Sequence, residues 1–288
     1  MFMFAGLGVI GCLFSFYLFL GLLTILPPLY ASQDADTMLR KIEAQRFRWM
    51  GVKAEATLTF TTPQGKSASC SGRMTYYRLE EKMLLECFNG SGQTLFIFST
   101  EDDEFELYLA ADKTLYRGSI FDLDDSEQFS SHIKPFDLYR ALKPMPVLPG
   151  QAHVASETPS STVLNVWGLA QGKPYVKRVF TVTDRGDVPA ETYLGEDGEK
   201  RLLINREDYR EIGSVPHKKK EKVYFPEHIR IQNVREKTKT DIAFSSLKPL
   251  WNTSGSGWVL QLPEGTRVWD LPRFNPDRGY EQPAASGS

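Results

Sequence analysis

Four histidines, three cysteines and several clusters of carboxylates are the chain's stock of metal ligands and proton carriers, and their spacing decides what they can do. His132, His153, His217 and His228 show no metal-ligand spacing among themselves or with the cysteines. The acidic clusters Glu101-Asp102-Asp103-Glu104 and Asp122-Leu123-Asp124-Asp125 lack the alternating ligands, central glycine and closing glutamate of a calcium loop, and read as solvated turns and helix caps. Gln64-Gly65-Lys66-Ser67 has the end of a phosphate-binding loop, but the first glycine of that loop would stand at Phe60. Gly90-Ser91-Gly92 lacks the framing of a hydrolase nucleophile elbow and leads into a strand instead of a helix. No catalytic residue, metal or cofactor is therefore expected. The run from His217 to Lys222 is basic and reads as a solvated hairpin tip, with contact to anionic lipid headgroups as its functional alternative. Asn89-Gly-Ser and Asn252-Thr-Ser fit the glycosylation triplet, a pattern too short to carry weight.

The elements around these residues are mostly strands. Met38, Leu39, Ile42 and Phe47 recur at helical spacing behind Asp34 and Asp36, which predicts a helix over about 35–47. The period then becomes two: Val52, Ala54, Ala56, Leu58 and Phe60 alternate with polar residues, and Ala68, Cys70, Gly72, Met74 and Tyr76 repeat the pattern after a Pro63-Gln-Gly65 turn. Glu86 fixes the parity of the next strand, so that Met83, Leu85 and Cys87 face inward with Cys70, and a disulfide between Cys70 and Cys87 is open wherever register sets them opposite. Strands are expected at 94–99, 104–110 with Phe105, Leu107 and Leu109 inward, and 115–118, joined by short polar turns as in an antiparallel meander. Between 120 and 150 acidic caps, prolines and the set Phe136, Leu138, Tyr139 and Leu142 predict short helices laid over an opening. Strands resume at 162–169, 175–183, 190–195, 201–209, 227–236, 240–244 and 258–262. The fold class is mainly β, α+β in detail: one strongly curved antiparallel sheet forming a half-open barrel covered by a few helices.

The N-terminus differs in kind, because Met1 to Leu26 carry no charged side chain and are long enough to span a bilayer. Pro27-Pro28 end the run and polar residues follow Ala31, so 1–31 reads as a signal peptide or a retained membrane anchor, with a buried core helix as the structural alternative. Cys12 follows Val9-Ile10-Gly11 in the manner of an acylation site, yet more apolar residues follow it, so it also reads as one more member of the run. Residues 32–273 form a single domain in this reading and 274–288 a disordered tail. With 34 basic against 36 acidic residues the chain has no excess positive charge for phosphates, and nucleic acid is excluded as a partner.

The order helix, meander, covering helices, further meander resembles that of the lipoprotein-localisation proteins LolA and LolB. Within it SGRMTYYRLEEKMLLECFNGSGQTLFIFSTEDDEFELYLAADKTLYRG and PFDLYRALKP look like the LolB pattern, and YFPEHIRI, TDIAFSSLKPLW and WVLQLPEGTRVWDL are similar to the ending of LolA-like proteins; together they span about 35–271. The resemblance implies a half-open barrel closed by helices and holding acyl chains without chemistry. The chain departs from LolB at Gly90-Ser91-Gly92, where LolB's Pro-Leu-Gly loop presents a protruding leucine, and no arginine of this sequence can be matched to LolA's cavity-latching arginine.

These readings converge on a bacterial cell-envelope protein, periplasmic and either secreted or anchored by its N-terminal segment. It binds lipid or the acyl chains of lipoproteins in an apolar cavity, with a role in sorting lipoproteins to the outer membrane. The cavity lining is expected from Val52, Leu58, Phe60, Met74, Tyr76, Met83, Leu85, Phe105, Leu107 and Leu109, with Phe136, Leu138 and Leu142 from the covering helix; Met74 and Met83 suit cargo of variable shape. The alternative on the same fold is an envelope interaction module, a scaffold or stress sensor that binds a protein partner and no lipid.

Overall fold

A computed structural model describes residues 31–46, 50–78, 80–102, 104–120, 135–142, 147, 150–216, 218–252, 260–271, 273–275 and 279–281. The apolar run 1–26 with Cys12, the acidic cluster 122–125, His132 and His217 lie outside these residues, as does the side chain of Phe136. No helix among the described residues is long and apolar enough to cross a membrane.

Two helices are described, α1 (Ala31–Arg46) and α2 (Pro135–Leu142). The first strands are β1 (Gly51–Thr61), β2 (Ser67–Tyr77), β3 (Lys82–Phe88), β4 (Thr94–Glu101), β5 (Glu104–Leu109) and β6 (Thr114–Ser119). After α2 come β7 (Ala152–Thr158), β8 (Ser161–Ala170), β9 (Lys173–Thr183), β10 (Ala190–Leu194), β11 (Lys200–Val215), β12 (Lys218–Asn233), β13 (Thr238–Leu250) and β14 (Arg267–Asp270). These build one 14-stranded sheet in the order β14-β6-β5-β4-β3-β2-β1-β13-β12-β11-β10-β9-β8-β7. It is curved and unclosed, a LolA-like open barrel. The strands β15 (Arg273–Asn275) and β16 (Gly279–Glu281) form a separate ribbon in a stretch where no periodicity is legible.

Consecutive strands pair by hairpins, so the sheet is two meanders joined where β1 meets β13. Burial in β1 alternates residue by residue, with Val52, Ala54, Ala56 and Leu58 buried, as a period of two on a one-sided sheet requires. A bulge opposite Glu55 and Ala56 places the extra residue Ser245 in β13 and bends the sheet where its halves join. Three features differ from the sequence expectation. Residues 260–262 are not a strand. β7 extends the sheet by an edge strand. The last strand, β14, crosses to the opposite edge and lies parallel to β6, so one pair of the sheet is not antiparallel.

The core divides in two. The larger cluster fills the inner face of β1 to β5 and β11 to β13 and takes in Leu138, Tyr139, Ala141 and Leu142 of α2. The smaller one lies beneath α1, where Ala35, Met38, Leu39 and Ile42 meet Leu164, Val166, Phe180 and Val182. Thus α1 covers the end of the sheet at β7 to β9, and α2 covers the middle.

Candidate functional site

The inner face is ordered in rows that cross the strands. One row runs Val52, Tyr76, Met83, Thr100, Phe105; the next runs Ala54, Met74, Leu85, Phe98, Leu107; a third runs Ala56, Gly72, Cys87, Phe96, Leu109. Val52, Leu58, Met74, Tyr76, Met83, Leu85, Phe105, Leu107, Leu138 and Leu142 are buried in one cluster, and Phe60 and Leu109 pack against it half-buried. Cys70 and Cys87 are joined by a disulfide although they are not directly opposite: Cys87 faces Gly72, two residues along. The missing side chain at Gly72 is filled by Leu58, whose Cδ1 would stand 2.4 Å from a Cβ there.

The rows continue into the second half, where Leu58 pairs with Ile242, Ile242 with Ile229, and Ile229 with Arg206. A guanidinium thus occupies a position that inward alternation reserves for an apolar side chain. Arg206 is 4 % exposed, and it donates from Nε to the Ala141 carbonyl oxygen (2.9 Å) and from Nη2 to that of Arg140 (3.2 Å). It also donates from Nη1 to Val188 O (3.2 Å) and from Nη2 to Glu191 Oε2 (3.0 Å). Ala141 and Arg140 belong to the last turn of α2, whose carbonyls have no partner within the helix and carry the negative end of its dipole. The planar fork of an arginine suits several such acceptors at once.

Glu191, equally buried, accepts from the Tyr193 hydroxyl (2.9 Å) and pairs with Arg178 (3.4 Å). The Tyr193 ring lies between the guanidiniums of Arg140 (4.6 Å) and Arg178 (5.8 Å). Burial first, then the Glu191 carboxylate, push the Tyr193 hydroxyl well above its ordinary pKa. At the other end of α2, Asn233 Nδ2 donates to the Asp137 carboxylate (3.3 Å). A helix of two turns is therefore fastened to β11 and β12 at both ends by polar contacts.

Close by, Asp208 takes a left-handed backbone (φ 55°) between Arg206 and Tyr209. Residues three apart in a regular strand face opposite sides. Here both reach Val188 O, Tyr209 with its hydroxyl at 3.2 Å. Burial pushes the Tyr209 hydroxyl up, with Arg206 opposing and Asp187 adding to the shift. The other helix, α1, is tied in at the same place: Gln45 donates to Asp187 Oδ1 (3.2 Å), and Gly186 passes so close to α1 that a Cβ there would lie 2.5 Å from the Lys41 carbonyl oxygen. At this seam of α1, α2, β11 and β12 is an apolar cavity of about 90 Å³, bordered by Ile42, Leu142, Val188, Arg206, Phe225 and Ile229. A larger open recess of about 560 Å³ lies at the β4–β5 turn, bordered by Thr100 and Phe105 of the first row and by Leu260 and Leu262, with Glu101, Asp102, Glu104, Glu106 and Arg117 around them.

Sequence reasoning grouped the apolar residues of β1 to β5 and missed the second half of the buried inner face, Leu202, Ile204, Phe225, Ile229, Ile231 and Ile242. It also missed Arg206, Glu191 and Thr100, whose hydroxyl lies buried in an apolar row without a hydrogen-bond partner among the described residues. The signal for Arg206 was its parity with Leu202 and Ile204. Among the described residues no three His, Cys, Asp or Glu side chains are grouped to hold a metal. His228 makes an exposed contact to Asp208 (2.8 Å), His153 sits edge-on to Trp167, and the turn at Asn89 is closed by that side chain accepting from the Ser91 and Gln93 amides.

No protein-family model and no curated protein matches the sequence. Solved structures share the fold. A DUF1329 family protein from Desulfovibrio piger is 14 % identical, with a TM-score of 0.55 over 75 % of this chain and 92 % of its own. A putative outer membrane lipoprotein-sorting protein domain from Vibrio parahaemolyticus is 13 % identical (TM-score 0.53, 76 % and 93 %). A LolA superfamily protein from Nitrosomonas europaea is 12 % identical (TM-score 0.51, 77 % and 96 %).

Proposed function

We propose that this chain, with its LolA-like fold, is a non-enzymatic cell-envelope protein that binds lipid or the acyl chains of lipoproteins beneath α2. The observation that carries the reading is the fastening of α2: a short helix lies across a mainly apolar face and is held to the sheet by Arg206 and Asn233. Lifting such a cover exchanges those hydrogen bonds and uncovers Leu138, Tyr139, Ala141 and Leu142, without dismantling the sheet below it. The likeness to a LolA superfamily protein and to a lipoprotein-sorting domain supports the same reading, in which the cargo is delivered toward the outer membrane.

The closed form has little room. An apolar void of about 150 Å³ takes one benzene ring, so the seam cavity of about 90 Å³ holds only the end of a hydrocarbon chain. Binding a whole acyl chain requires α2 to lift and the rows beneath to part. Native mass spectrometry of protein purified from membranes, together with displacement of a fluorescent fatty acid, tests this. Bound lipid and saturable displacement are expected; protein free of adducts that displaces nothing would sink the reading.

A second reading has its own observation. β14 is an edge strand exposed along its whole length, with Val268 and Trp269 about half exposed. An open apolar edge is a template for pairing with another chain, which suits an envelope interaction module. Loss of a co-purifying protein on Trp269→Lys, with lipid binding intact, would favour that function.

A further inference from the structure

The β8–β9 hairpin carries the most exposed large apolar side chain among the described residues, Leu169 at 76 %, with Trp167 at 39 % on the same face. Its two-residue turn, Gln171 and Gly172, has positive φ at both positions (49° and 76°), the geometry that keeps a hairpin tight and its tip narrow. On the other face Tyr175 and Lys177 lean over Gly168, where a Cβ would meet them at 3.2 and 3.0 Å. Lys173 and Pro174 are exposed at the turn. No aspartate or glutamate occurs between Glu157 and Asp184, a stretch that contains Lys173, Lys177 and Arg178, in a chain whose net charge is -2. Among the described residues neither lysine forms an ion pair.

We propose that this tip is a contact for the surface of an anionic lipid bilayer, with Trp167 and Leu169 entering the headgroup layer and Lys173 and Lys177 facing the phosphates. An amphipathic tryptophan beside an exposed leucine matches the boundary between headgroups and acyl chains, and lysine stems reach from it to the charge. Apolar insertion and basic attraction act together at such a surface. The contact is independent of whether the interior holds lipid.

Hydrogen exchange of the full chain in nanodiscs tests the assignment, comparing phosphatidylcholine alone with phosphatidylcholine containing about one part in three phosphatidylglycerol. The amides of 168–174 are expected to exchange at least about five-fold more slowly on the anionic discs, since each lysine near such a surface strengthens contact by about that factor. High salt should remove the difference, and so should the pair Lys173→Glu and Lys177→Glu, with exchange in β1 to β3 unchanged. Equal exchange on the two discs overturns the proposal. So does protection confined to 217–222, or protection on both discs that ignores salt, which would mark contact through the apolar side chains with no part for the lysines.

Discussion

Arg206 shows how one residue can set the behaviour of a site. Removing it as Arg206→Met leaves the Glu191 carboxylate buried beside Arg178 with one bond fewer, and leaves the last carbonyls of α2 without a donor. Breaking one side of such a buried pair costs about 3–5 kcal/mol, whereas replacing both partners by apolar groups is often neutral. Urea unfolding should therefore show Arg206→Met strongly destabilised, and adding Glu191→Leu should recover little, because the buried Arg178 and the Tyr193 hydroxyl then lose the Glu191 carboxylate as well; full recovery would mean that Arg206 and Glu191 act as an isolated pair. The neighbouring tyrosines add a dependence on pH. Tyr193 has its folded pKa raised above the ordinary 10.0, so the folded form keeps its proton where the unfolded form has lost it. That stabilisation is complete below pH 10.0 and declines as pH rises above it. Wild type should lose stability above that point faster than Tyr193→Phe, and parallel curves would show that the hydroxyl is not shielded. This buried polar cluster was the part least legible in the sequence. Alternation marks which positions face inward, but it offers no reason for a charge at one of them, and the acceptors of Arg206 come from Arg140, Ala141, Val188 and Glu191, remote in sequence.

At the level of elements, the strands of the first half were legible because polar and apolar residues alternate in β1 and β2, and short polar turns bound the more continuously apolar β3 to β5. The second half was less so. β11 and β12 run to 16 residues each, far beyond the stretches where alternation is visible, because the adjacent charges Arg210 and Glu211 interrupt the pattern of one and a lysine-rich run opens the other. β14 has four residues, all exposed, and parallel pairing across the sheet leaves no local pattern at all. The Asp184-Arg-Gly-Asp187 turn was legible as a turn, but its tertiary role was not: Gly186, at φ 89°, is where α1 touches the sheet. Gly186→Ala places a methyl group 2.5 Å from the Lys41 carbonyl and forces alanine into a left-handed backbone. The backbone alone costs about 1–2 kcal/mol. Because α1 rests on a cluster separate from the main core, the damage should stay local. Hydrogen exchange is expected to accelerate over residues 38–45 while β1 to β5 keep their protection; uniform loosening of the whole sheet would mean that the two clusters unfold as one.

For the whole molecule, the decisive balance is between the cargo and the closed cover. Each buried methylene contributes about 0.8 kcal/mol, so about sixteen of them contribute about 13 kcal/mol. Opposing this are about 3–5 kcal/mol for opening a buried arginine contact and at least about 4 kcal/mol of lost translational and rotational freedom. A chain of about eight methylenes, contributing about 6 kcal/mol, does not cover those costs. Detectable binding should therefore begin at a longer chain than it would in a rigid open groove, which carries no cost of opening. Since a ligand that binds only the folded state raises stability by mass action, a fatty acid of about sixteen carbons should raise the melting temperature where one of about eight has no effect. The same titration identifies the gate. When the longer chain binds, the amides of 138–142 should lose protection as the Arg206 bonds to Arg140 and Ala141 open, and in Arg206→Met the onset should move to shorter chains because part of the opposing cost is gone. Binding of the acid of about eight carbons that leaves α2 undisturbed would place the cargo elsewhere, with the apolar rows serving as a dry core.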